Sequence, residues 1–229
     1  MKLLAIDTSG VSLSVCITED LLIRYECTLY SGRTHSEYLM PEINKALETC
    51  KLDISDIDAF AAVSGPGSFT GVRIGVATIK ALAQATQKPC IGINALEALA
   101  KCAAPFEGII CPMQDARASQ VYCAAYKEDK QILPDEAMQL DAFLAAVSSY
   151  ERCCFVGDGA HAHHARILEA LGQRAVILPP ERSMLRASYA ALLAYAKKES
   201  MHGFHALLPY YLRAPQAERE RLAKEATKP

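Results

Sequence analysis

Between residues 2 and 64, and again between residues 108 and 156, the chain runs through one succession of patterns: three strands, a helix and a further strand, then a glycine turn. An order that recurs in this way restricts the fold to two like units packed together. In the first copy Val11, Leu13, Val15 and Ile17 alternate with Ser12, Ser14, Cys16 and Thr18, the period of a strand with one face buried. Residues 2–6 read as a buried strand ahead of it and residues 22–29 as a strand behind it, with turn signals at Ser9-Gly10 and Glu19-Asp20. Three antiparallel strands therefore open the fold. Thr34 and Glu37 stand at capping-box spacing before Leu39, Ile43 and Leu47 and predict a helix that Pro41 either kinks or begins. A strand at 59–64, a glycine loop, a helix over about 70–87, a strand at 90–93 and a helix capped by Asn94 with Glu97 complete the copy.

The second copy has strands at 108–114, 120–126 and 131–133, a helix at 141–150 and a strand at 153–156. Gly157-Asp158-Gly159 takes the place of Gly65-Pro66-Gly67, and Asp115 mirrors Asp7. Pro and Gly around residues 103–108 mark the boundary, giving domains 1–103 and 104–229, the latter with a closing segment at 207–213 and a charged tail that reads as an exposed helix. The fold class expected is α/β, duplicated. With 229 residues and 51% hydrophobic content, each copy is small yet able to bury a core.

Charge excludes one class of function. Lys and Arg number 24 against 26 Asp and Glu, a net −2, too little positive charge to hold nucleic acid unaided by neutralising phosphates. The 9 Cys are scattered, without CxxC or Cys/His metal spacing, and read as small buried hydrophobes in a reducing compartment. Asp7 ends the apolar run from Met1, and no stretch approaches the roughly 18 apolar residues that span a bilayer. A cytoplasmic protein with no membrane association is expected.

Asp7-Thr8-Ser9 lies in a turn where a carboxylate, hydroxyls and amides face either a phosphate or only their own backbone. Ser64-Gly65-Pro66-Gly67-Ser68-Phe69-Thr70-Gly71 leaves a strand and enters a helix, which offers amides at a positive helix end, or needs glycine for its dihedrals alone. It is neither a Walker A nor a GxGxxG sequence. On the helix that follows, Val72, Val76, Ile79 and Ala83 form one face and Arg73, Lys80, Gln84 and Gln87 a second. Gly71, Gly75, Thr78 and Leu82 form a third, small face that suits a closely approaching helix, either of this chain or of a partner. His161, His163 and His164 lack a completing ligand and read as a solvated helix end. His35, beside Ser36 and Glu37, has no nucleophile-elbow sequence and reads as a capping and packing residue.

Taken together, Ile6-Asp7-Thr8-Ser9, Arg33-Thr34-His35-Ser36-Glu37, the run from Ser64 through Gly71 and on to Val72-Arg73-Ile74-Gly75, Asp115-Ala116-Arg117, Gly157-Asp158-Gly159 and Tyr211-Leu212-Arg213 resemble the TsaB (YeaZ) family. The resemblance spans essentially the whole chain, and Ser64 to Gly75 is its most specific part. It implies the duplicated actin-like, RNase H-like (ASKHA) fold with two βββαβα-type domains. It also implies a part in placing the threonylcarbamoyl group (t6A) on the adenosine beside the tRNA anticodon. In that setting TsaC makes the adenylate, TsaD transfers the group and TsaE is the ATPase of the assembly. TsaB is the non-catalytic scaffold, bound to TsaD through its N-terminal domain, forming a homodimer when alone, and reaching tRNA only through the complex.

By the same resemblance Asp7, Thr8, Ser9, Gly65, Gly67, Gly157, Asp158 and Gly159 are vestigial phosphate-loop positions. No cofactor is expected, beyond room for weak ATP or ADP binding at the interdomain cleft or at the complex interface. The small face at Gly71, Gly75, Thr78 and Leu82 becomes the candidate partner interface. TsaD-like enzymes bind metal through an Asn-His-Leu-Glu-Gly-His type motif, whereas this chain has Asn94-Ala95-Leu96-Glu97-Ala98-Leu99. Ala95 and Leu99 replace both imidazoles, so neither a catalytic metal nor the peptidase (M22-like) activity once attached to the superfamily is expected there. An active ATP-dependent phosphotransferase of the sugar-kinase type is the alternative. The short chain leaves little room for kinase insertions, and the second half shows no obvious catalytic carboxylate.

Overall fold

The computed structural model describes residues 1–30, 32 and 34–213. Its first half runs β1 (Lys2–Asp7), β2 (Leu13–Glu19), β3 (Leu22–Leu29), α1 (His35–Cys50), β4 (Ala59–Gly65), α2 (Phe69–Thr86), β5 (Cys90–Asn94) and α3 (Ala95–Ala103). The second runs β6 (Ile109–Asp115), β7 (Gln120–Lys127), β8 (Lys130–Gln139), α4 (Leu140–Val147), β9 (Cys153–Val156), α5 (Asp158–Ala162), α6 (His164–Leu171), β10 (Ala175–Ile177), α7 (Pro180–Ser183) and α8 (Ala187–Ala196). Strand order is β3-β2-β1-β4-β5 in one sheet and β10-β9-β6-β7-β8 in the other, one topology written twice. In each, the first strand pairs antiparallel with the second and parallel with the fourth: β1 with β2 and β4, β6 with β7 and β9.

Three cores result. Leu4, Ile6, Val15 and Phe60 meet Ile43 of α1 and Val76 and Ile79 of α2 on the outer face of the first sheet. Val121 and Phe155 meet Phe143 of α4 and Ile167 of α6 on the outer face of the second. Between the sheets, α3 and α8 pack Leu96, Leu99, Ala191 and Ala194 against Leu3 and Ala5 on one side and Ile110 and Cys154 on the other. Both sheets are thus covered on both faces, and this overturns the expectation of a half-buried β2. Ser14, Cys16 and Thr18 are buried, Cys16 belongs to the central core, and Ser14 Oγ accepts a 2.9 Å bond from Ala187 N at the start of α8. Small side chains on a covered face let a helix approach, and Ser14 finds its partners there in Cys27 O, Thr28 Oγ1 and Ala187 N. Val11 falls outside the strand and is 54% exposed.

Other boundaries differ for local reasons. Pro41 lies inside α1. Thr34 is its N-cap residue but makes no cap bond through its side chain, because its hydroxyl donates to Glu37 Oε1 at 2.7 Å. Asn94 caps α3 as expected, its Oδ1 accepting from Leu96 N at 2.8 Å and Glu97 N at 3.0 Å. β8 extends to Gln139 through Pro134, since an edge strand has no outer neighbour that needs the missing N–H.

After β10 the chain returns to the first sheet. α8 packs on β1 and β2, Cys90 and His202 exchange backbone bonds of 2.8 and 3.1 Å, Leu207 enters the first-half core, and Tyr210 N donates to Ser64 O at 2.7 Å. A division into 1–103 and 104–229 therefore separates the sheets but not the packing, because the closing segment completes the first half. The charged tail expected as a helix lies outside the described residues, as does Arg33. Among the described residues no helix is long and apolar enough to cross a membrane.

Candidate functional site

Both halves turn at the end of their first strand through one device. Asp7 Oδ1 accepts from Ser9 N at 2.8 Å and from Ser9 Oγ at 2.7 Å, and Asp115 Oδ1 accepts from Arg117 N at 2.9 Å. These are Asx turns, in which the carboxylate satisfies its own backbone two residues on. Thr8 points the other way and donates to Gly71 O at 2.7 Å. Asp7 Oδ1, Thr8 and Ser9 thus bond within the chain's own turn and to the start of α2.

The glycine loops press onto these turns. A Cβ on Gly67 (φ +155°) would lie 2.3 Å from Ser9 O, and one on Gly65 (φ +119°) 2.3 Å from Tyr210 O. In the second half, Gly157 (φ +109°) would meet Met113 O at 2.1 Å, and Gly159 the backbone of Gln114 at 2.9 Å. Ser68 N, at the mouth of α2, already donates to Ser9 O at 2.7 Å. The glycines are required by close approach of backbone to backbone.

The third face of α2 needs the same correction. Gly71 and Gly75 are buried against this chain's own β1: a Cβ would come within 2.0 Å of Thr8 O at Gly71 and 2.5 Å of Thr8 Oγ1 at Gly75. The close neighbour that explains these small residues is a strand end and its turn, not a helix, and neither glycine is available to a partner. Thr78 and Leu82 are half-buried, while Ala77, Ala81 and Ala85 are the exposed small residues of the helix.

A cavity of about 590 Å³ opens between the halves, lined by Asp7, Gln114, Asp158, His161, Leu99 and Leu185 among others. Burial pushes the Asp7 carboxyl up to about 6, against the opposing effect of its bonds from Ser9. Burial likewise pushes Asp158 up to about 6, although Gly159 N and Asp115 N donate to it at 3.0 and 3.4 Å. A second cavity of about 520 Å³ lies beside it, between Ser9, the 66–70 loop, Asp115, Arg117 and residues 210–213. Tyr211 closes over this loop: its ring stacks on Phe69 at 4.7 Å and its hydroxyl accepts from Arg73 Nε at 2.9 Å, while the guanidinium of Arg73 sits 3.8 Å from the Phe69 centroid. Arg213 Nη1 donates to Ala116 O at 3.2 Å.

Asp7 and Asp158 thus line the first cavity, and Ser9, Gly67 and Asp158 the second. Gln114 near the end of β6 lines both cavities; sequence reading passed over it, although it directly precedes Asp115, the residue that mirrors Asp7. The reading of 161–164 as a solvated helix end holds for the exposed His164 alone. His161 lines the first cavity, and His163 Nε2 lies 3.9 Å from Asp115 Oδ1. His35 Nε2 sits 3.0 Å from Gly10 O, in keeping with a packing role. Ala95 is fully buried in the central core, and Leu99 joins that core and walls the cavity; neither side chain has a donor atom for a metal.

The chain matches the family model described as TsaD, tRNA N6-adenosine threonylcarbamoyltransferase, over residues 30–220. It is 33% identical over 223 residues to the tRNA threonylcarbamoyladenosine biosynthesis protein TsaB of Bacillus subtilis (strain 168), covering 95% of this chain and 96% of that protein. A crystal structure from Pseudomonas aeruginosa, described as an uncharacterized protein with similarity to peptidase YEAZ, superposes with a TM-score of 0.75 at 27% identity over 93% of this chain and 99% of that one. Component A of the (R)-2-hydroxyglutaryl-CoA dehydratase of Acidaminococcus fermentans shares the fold alone, with a TM-score of 0.54 at 11% identity over 87% of this chain and 99% of that one. A doubled sheet of this topology, glycine loops pressed on paired Asp turns, and likeness along nearly the full length agree: the chain has the duplicated actin-like (ASKHA) α/β fold and belongs to the TsaB (YeaZ) family.

Proposed function

We propose that this protein acts in tRNA threonylcarbamoyladenosine biosynthesis as a non-catalytic partner of a TsaD-type transferase. The observation that carries the reading is its similarity to the B. subtilis TsaB over 95% of the chain. Two features support the non-catalytic part. Ala95 and Leu99, at the positions where the resemblance places metal-binding histidines, are packed in the central core. The glycine loops hold the fold's own turns, which leaves at most weak nucleotide binding in the cleft, and the protein needs no cofactor of its own.

The partner surface in this reading is the outward side of α2, at Ala77, Ala81 and Ala85 with the half-buried Thr78 and Leu82. Small side chains there let a helix of the transferase, or of a second copy, come close. TsaE joins the larger assembly, and tRNA is met only through it, in keeping with a net charge of −2.

Depletion of the protein followed by quantification of threonylcarbamoyladenosine in bulk tRNA tests the pathway, and unchanged modification would refute it. Ala81→Arg should abolish co-purification with the transferase while leaving the fold intact; retention of the complex would exclude this face. Transfer activity by the purified chain alone, without the transferase, would refute the non-catalytic role. Calorimetric titration with Mg-ATP addresses the phosphotransferase alternative, which requires tight binding and phosphoryl transfer.

A further inference from the structure

The cavity between the halves has a charge and polarity that neither the loops nor the partner reading explains. Its walls are apolar: Val11, Leu99, Pro180, Met184 and Leu185. Its ionisable lining, among the described residues, is Asp7, Asp158, Glu181, His161 and Tyr30, with no lysine or arginine. A polyphosphate placed there without a metal ion would meet carboxylates and no fixed cation, so the lining does not suit a bare anion.

Two further observations select what it suits. Asp7 is fully buried and its Oδ2 has no hydrogen-bond partner among the described residues. Gln114, 5% exposed and on the opposite half of the molecule, is likewise left with an unpartnered Oε1. Buried acceptors without donors are rare in native proteins, and an ordered water or a bound group supplies the missing donor. Both are acceptors, from two different sheets, lining one cavity. The missing complement is a donor with positive charge on an apolar body.

We propose that this cavity binds a small organic cation, an ammonium head on an alkyl or aryl body. The head lies between the two halves and donates to Asp7 Oδ2 and to Gln114 Oε1 after side-chain adjustment, with Asp158 supplying the second carboxylate. The body lies along Leu99, Met184 and Leu185. The inference does not depend on the pathway reading, since it uses only the cleft's own acceptors and walls.

The test uses the full chain at pH 7.5 with n-hexylammonium as the probe and hexanol and hexanoate as its neutral and anionic counterparts. Calorimetry should show hexylammonium binding at least about tenfold more tightly than either, the scale of one or two charge-assisted hydrogen bonds. The methyl resonance of Met184, assigned with Met184→Leu, should shift on titration. Asp7→Asn and Gln114→Leu should each weaken binding at least about tenfold while the circular dichroism of the free protein is unchanged. Should one variant fail to fold, the other and the Met184 resonance still decide. Equal binding of hexanol, no binding of any probe at millimolar concentration, a Met184 resonance moved by Mg-ATP and not by hexylammonium, or affinity unaffected by the variants would each overturn the proposal.

Discussion

Burial holds the Asp7 carboxyl at about 6 even though Ser9 gives its Oδ1 two hydrogen bonds. A carboxyl raised in the folded state binds more protons folded than unfolded across the interval from about 4 to 6. Its stabilising contribution is present below that interval and is lost as pH rises through about 6, so at neutral pH the charged form costs stability. Asp7→Asn keeps an acceptor for Ser9 and removes the charge. It should raise the free energy of unfolding at pH 7.5 by on the order of 2 kcal/mol and by almost nothing at pH 4, as urea titrations at the two pH values would show. A native residue that its neutral isostere outperforms in stability is held for something other than stability. Gly71→Ala should act in the opposite sense: the added methyl would lie 2.0 Å from Thr8 O, and a loss of about 2 to 4 kcal/mol is expected in the same titration. Both residues stand out in the bare sequence, but their roles do not. Glycine spacing reveals that something approaches closely, not whether it is a ligand, a helix or, as here, the chain's own strand.

At the scale of elements, helix starts and turns were the legible part, because their chemistry is local. Asn94 with Glu97 announces α3, and Asn94→Ala should cost about 1 kcal/mol of stability, read as a lowered thermal midpoint. The side chain of Asn94 also donates to Asp135 on β8, so the cap ties the end of the first sheet to the edge of the second. The exposure of β2 was not legible. Its alternation of apolar and small polar residues is the pattern of a sheet with one wet face, and what covers that face is α8, 173 residues further along. Composition can suggest that Ser14, Cys16 and Thr18 are small; only the tertiary fold shows that small is what a covering helix requires. The same applies to Gln114, which is one polar residue at a strand end until β6 is set opposite β1. On α2 the apolar and charged faces are legible but the small third face is not, since a helix buried both against the first sheet and against the β1 turn has no single apolar stripe that shows what each small residue meets.

The whole molecule is two copies of one sheet topology joined by a shared central core, and that core depends on residues from both ends of the described chain. The duplication could be read from the order of strands and turns, whereas the return of the last segment to the first sheet could not. Removing everything after Arg186 would strip β1 and β2 of their inner cover and leave Cys90 without its pairing to His202. Such a truncated chain is expected to accumulate in the insoluble fraction on expression to a greater extent than the full chain, and fractionation by centrifugation of both checks it. The bond from Ala187 N to Ser14 Oγ also has a meaning in time. At about 5 to 20 residues per second on the ribosome, Ala187 is made roughly 10 to 35 s after Ser14, because 173 positions separate them. For that interval the inner face of the first sheet has been synthesised and its cover has not, so the N-terminal half is the part of a nascent chain that a chaperone would need to shield.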